Sequence, residues 1–258
     1  MATPSLLLLL ADGRFPAGAH AHSGGLEAAV AAGRVTDLAS LEAFLAGRLA
    51  TAGLVGAAFA AAAHRAAVAE TVGSAHPARS ARPSDVPAEA VARTGAPAGS
   101  AVRSGALARL DAELDARTAA PALRAVSRRQ GRALLRAGRA IWPDAPFADL
   151  PATPGGPHQP LVLGLLCAAA GLSRLETATI AAYGTLTGAA SAGVRLLGLD
   201  PYRVQALLVG LADACDGTAA DAARAADDPP ERLPAAAAPL ADIHAEIHAT
   251  WEVRLFAS

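Results

Sequence analysis

The chain has 258 residues, 53% of them hydrophobic but only 3% aromatic, so it can bury a sizeable core and must build that core from Leu, Val and Ala. A net charge of -1 supplies no field for nucleic acid or an anionic membrane. Every basic residue is arginine, and Lys and Asn are missing altogether, which excludes lysine-based phosphate loops, Schiff-base chemistry and Asn ligands. Alanine is the strongest helix former, and the expected fold class is all-α, a single domain of about ten helices spanning 1–258. Cys167 and Cys215 both fall in apolar helical patterns and read as reduced, buried thiols of a cytoplasmic protein.

The first predicted element is the apolar run Leu6–Leu10, ended by Phe15-Pro16 because the residue before proline leaves the α region. No basic residue precedes this run, and Asp12 and Arg14 break the apolar character just beyond it, so it does not read as a signal peptide. Ser23 is the expected cap of a helix through Glu27 that stops at Gly33. Thr36 or Asp37 caps a second helix with Leu38, Leu41, Leu45 and Leu49 on one stripe, and a third covers about Leu54–Val68. The apolar windows Leu54–Ala63 and Leu161–Ala170 are each too short to cross a bilayer.

From Thr71 to Gly105 the composition turns to Ser, Pro, Gly, Ala and Arg without apolar period, and this segment is expected to be a disordered loop. Helix resumes with Ser104 as cap and the stripe Leu107, Leu110 and Leu114. Pro121 opens the most amphipathic helix, with Leu123, Val126, Leu134 and Ile141 on one face and Arg124, Arg128, Arg132, Arg136 and Arg139 on the other. That arginine face is either solvated surface or a contact for an acidic partner. No aromatic residues interleave it, which disfavours nucleic acid. Trp142-Pro143 ends it.

His158-Gln159-Pro160 leads into the helix Leu161–Ala170. Ser173 to Glu176 is a capping box opening a helix rich in small residues, and Asp200-Pro201 starts the next. After an alanine-rich piece and the linker Pro229–Pro239, the residues Leu240, Ile243, Ile247, Trp251 and Leu255 form the stripe of a final helix.

Two histidine pairs, His20 with His22 and His244 with His248, have spacings suited to a metal, and the second lies on one helix face at i,i+4. Neither has a third ligand nearby. The chain has no HExxH, no CxxC, no glycine-rich phosphate loop and no GxSxG. A Ser/His/Asp set is not excluded by composition, but the residues favour a non-enzyme without metal or cofactor.

The run Leu8–Ala11, Pro16–Gly18 and His22-Ser23-Gly24-Gly25-Leu26-Glu27 resembles the opening signature of the urease accessory protein UreF family. The resemblance continues through Gln130-Gly131-Arg132, His158, Gly193-Val194-Arg195-Leu196 and the ending His248 … Arg254-Leu255-Phe256, and it is similar to the actinobacterial branch. It departs from the family pattern at Gly188-Ala189 and His248-Ala249. The resemblance implies a dimeric, non-catalytic helical scaffold. Such a scaffold bridges UreD (also called UreH) and the GTPase UreG, and serves GTP-dependent nickel insertion into apo-urease subunits.

The partner contacts expected on this basis are His22, Ser23, Gly24, Gly25 and Glu27 as a shaped turn and helix start, Arg195 and His248, and Arg254, Leu255 and Phe256 as a tail anchored in a partner groove. Arg128 and Arg132 join them if the arginine face is a contact. The alternative is a nickel metallochaperone using His20/His22 or His244/His248.

Overall fold

The computed structural model describes residues 4–16, 21–69 and 98–256. Among them are eleven α-helical segments and no strand: α1 (Pro4–Ala11), α2 (Leu26–Ala31), α3 (Leu38–Arg48), α4 (Leu54–Val68), α5 (Ala98–Arg117), α6 (Pro121–Ile141), α7 (Gln159–Ala169), α8 (Arg174–Leu197), α9 (Pro201–Gly210), α10 (Ala212–Ala225) and α11 (Pro239–Ala249). The fold is all-α, as the alanine content predicts.

Three of the expected caps are in place, whereas Ser104 lies inside α5 and Gly25, not Ser23, occupies the cap of α2. Asp37 Oδ1 accepts the Ser40 N–H at 2.8 Å, Ser173 and Glu176 form a reciprocal capping box, and Asp200 accepts the Tyr202 N–H at 2.9 Å ahead of Pro201.

The centre of the molecule is α4, which packs on α7, α8 and α10. Its Ala57–Ala63 segment is 0–3% exposed, and Phe59 belongs with the buried Leu161, Leu165, Leu166 and Leu186 to one apolar core. Small alanine side chains let these helices approach closely, which is how a core nearly free of aromatics reaches solid density.

Three expectations are corrected. First, α3 and α4 do not separate at Gly53. A π-turn over Leu49–Gly53 joins them into one 31-residue helix, Leu38–Val68, which is long and apolar enough to cross a membrane by length and composition. The apolarity of its second half is used by the enclosing helices of the core.

Second, the expected loop 71–105 ends early. Residues 70–97 lie outside the described residues, but α5 begins at Ala98, because Ser100, Arg103 and Ser104 all converge on the buried Asp149 carboxylate in the turn after α6. A long-range ion pair, invisible to local composition, supplies the ordering.

Third, the last helix stops at Ala249 and turns its expected core stripe outward. Leu240, Ile243 and Ile247 are 44%, 56% and 51% exposed, while His248 is buried. Its inner side holds α2 and α6, and Glu246 Oε1 accepts the Ala122 N–H at 2.7 Å, capping the start of α6.

Candidate docking site

The signature Ser23-Gly24-Gly25 is a turn that only glycine accommodates comfortably, since Gly24 and Gly25 sit at φ 63° and 89°. Ser23 is fully buried and its Oγ accepts the Glu27 N–H at 3.3 Å, so it supports the first turn of α2 although Gly25 occupies the cap position.

This start sets Glu27 inward at 7% exposure. Its carboxylate gathers three donors from the far end of the chain: Leu255 N–H on Oε1 at 2.8 Å, and Phe256 N–H at 3.1 Å with His248 Nε2 at 2.9 Å on Oε2. Burial pushes the Glu27 carboxyl up, but the two backbone amides and His248 outweigh it and hold the group below its ordinary range. An ionised carboxylate only accepts, so His248 carries its proton on Nε2.

Two ring contacts finish this clasp. His248 lies 4.8 Å from the Trp251 ring, and the Arg195 guanidinium sits 4.5 Å over the Phe256 ring, which is 4% exposed.

Of the expected contact residues, Glu27, His248, Arg195 and Phe256 thus meet within the chain itself, while Arg254 and Leu255 stay exposed. Phe256, expected in a partner's groove, is buried against its own chain at 4% exposure. His22 is half-buried beside the turn, its carbonyl facing Gly188 of α8. His20 lies outside the described residues. His248 Nε2 is occupied by Glu27, and the described residues contain no group of three or more His, Cys, Asp or Glu arranged to hold a metal.

Beside the clasp are two clefts. One, of about 270 Å³, is lined mainly by Leu123, Val126, Ala125, Ala245 and Ala249. The other is lined by Ala21, Glu252, Leu255 and Phe256, and Arg129 and Arg254 border both. Leu123 and Val126 therefore line a cleft rather than the core, and the inward face of α6 is Gly131, Leu134 and Gly138. Arg129 escaped the sequence reading. Its signal was the Arg128-Arg129 pair, which must point about 100° apart on a helix.

Arg128, expected on the exposed arginine face, turns inward. Its side chain is 12% exposed and donates to Asp111 Oδ2 at 3.1 Å, Asp115 Oδ1 at 2.7 Å, Thr153 Oγ1 at 2.9 Å and the Gly156 carbonyl at 2.7 Å. The exposed Arg132 reaches the Gly155 carbonyl.

The same network holds His158, fully buried, between Ser127 Oγ (2.9 Å from Nδ1) and Asp115 Oδ1 (3.1 Å from Nε2). Burial and the Arg128 charge push its pKa down, so it is a neutral bridge. The Ser127, His158 and Asp115 row copies the contact order of a nucleophile relay, but Ser127 Oγ also takes the Gln159 N–H at 3.3 Å and the imidazole has no exposed surface. Its work is to fasten the 153–159 connection to α5 and α6.

The described residues thus form a helical body in which α2 and the tail are tied together beside an arginine-bordered cleft. The sequence model of UreF matches residues 35–212. The urease accessory protein UreF of Mycolicibacterium vanbaalenii is 39% identical over 258 residues, all of both chains. That of Mycobacterium marinum is 41% identical over the same span, and that of Mycobacterium tuberculosis H37Rv is 39% identical over 222 residues, 86% of each chain. The chain belongs to the UreF family of urease accessory proteins. Both sides of the Glu27 clasp lie outside 35–212 and inside the full-length similarity.

Proposed function

We propose that this protein is a non-catalytic scaffold for nickel insertion into apo-urease, bridging UreD (UreH) and the GTPase UreG and modulating GTP-dependent nickel delivery. In this reading it acts as a cytoplasmic homodimer that binds neither nucleic acid nor membrane. The observation that carries the reading is the clasp: Glu27 fixes the tail so that Arg254 and Leu255 are displayed beside Arg129 at the clefts. Arginine on a rigid apolar border is the composition of an interface hot spot. Leu240, Ile243 and Ile247 of α11, together with Val253 and Leu255, are further exposed apolar residues on this part of the chain.

The nickel-metallochaperone reading loses support at His244/His248, because His248 Nε2 is committed to Glu27.

Co-purification with UreD and UreG tests the proposal. A stable ternary complex is expected, weakened at least tenfold by Arg254→Ala with Leu255→Asp. Failure of every pairwise interaction overturns it.

A further inference from the structure

At the junction of α3 with its π-turn, Arg48 reaches across to the signature turn. Its Nη1 donates to the Gly24 carbonyl, and the guanidinium lies flat against the Gly24 Cα, so that a Cβ there would come within 2.9 Å of Cζ and Nη2. Arg48 forms no ion pair with a carboxylate among the described residues, and its Nε is shut from water without a hydrogen-bond partner. Burial lowers its pKa to about 10. The residue is half-buried as a whole, and leaving its Nε without a hydrogen bond costs stability that an apolar side chain would not.

The backbone beneath it is also irregular. The π-turn Leu49–Gly53 starts at the next residue, and such turns re-aim a helix face at the expense of regular hydrogen bonding. Here the helix keeps Leu45 and Leu49 buried on one side while sending Arg48 to Gly24.

We infer that Arg48 is the positioning residue of the docking element: it pins the Ser23–Gly25 turn from behind, so that Glu27 meets the tail amides and Arg254 is displayed at the cleft. This rests on the docking reading above for its consequence, but its geometry is testable without a partner. The chain of contacts is Arg48 to Gly24, the turn to the start of α2, and Glu27 to His248, Leu255 and Phe256.

Hydrogen exchange on the isolated full-length protein is the first test. In Arg48→Met, exchange of the Leu255 and Phe256 amides is expected to rise at least tenfold, while α4 and α7 keep their protection. Wild-type protection of the tail overturns the inference. Should Arg48→Met fail to fold, Arg48→Lys decides, because it keeps the charge but cannot lie flat on Gly24: faster tail exchange supports the inference and unchanged exchange overturns it.

The second test is a double-mutant cycle on UreD affinity. If Arg48 acts through Glu27, Arg48→Met costs little further affinity in a Glu27→Gln background, whereas full additivity overturns that route. A wild-type protein that binds no partner would sink the docking reading and leave the exchange result standing.

Discussion

At Glu27 one buried carboxylate accepts two backbone amides and an imidazole from the far end of the described chain. Glu27→Gln removes the charge from these bonds and should cost roughly 2 kcal/mol of local stability, about 30-fold in tail opening, read as hydrogen exchange at residues 255 and 256. Its depressed pKa fixes the sign of the acid response. The tie is complete above the ordinary glutamate value of 4.5 and is lost as pH falls from there through the depressed value, which Trp251 fluorescence should follow. The buried His64 and His158 act at higher pH. Both are held below 6.5, so the unfolded chain takes up their protons first, and stability should begin to fall as pH drops below 6.5. His64→Gln, keeping an amide donor near the Leu172 carbonyl that His64 Nε2 meets at 2.8 Å, should flatten the thermal midpoint against pH between 6.5 and 5.5.

Among the elements, α6 separates what local pattern can tell from what it cannot. Its limits and strong amphipathicity were legible from Pro121, Trp142 and the arginine period, but its rotation was not. The inward side is set by two glycines, which a search for apolar residues ignores, and by Asp111 and Asp115, which draw Arg128 under the 153–158 connection. Arg128→Glu should therefore unfold rather than merely weaken binding, at a cost of about 3–5 kcal/mol for breaking a buried pair, with loss of helicity by circular dichroism near the working temperature. Arg132→Glu alone should leave the melt unchanged. Gly131→Ala would drive a methyl into the Pro157 carbonyl, and about 1–3 kcal/mol of overpacking should lower the thermal midpoint by several degrees. The same limit explains the start of α5 and the outward stripe of α11: Asp149 and α2 are far away in sequence, and no window of local composition contains them.

For the molecule as a whole, helix class and several capping residues were readable from the residues themselves, and both ends of the clasp were readable through the resemblance to the UreF family. That they join each other was not readable, since nothing in His22–Glu27 or Arg254–Phe256 names a partner 221 to 229 residues away. Removing residues 250–258 should leave the α4-centred core melting cooperatively, with little change in midpoint, while abolishing the ternary complex. Loss of the cooperative melt would show that the tail belongs to the core.

The 221-residue separation of Glu27 and His248 also sets an order of events during synthesis. Glu27 is synthesised long before its three donors, so the clasp closes only after residues 248–256 have left the ribosome. A chain lacking residues 248–256 would keep the Glu27 carboxylate without the three donors that meet it here.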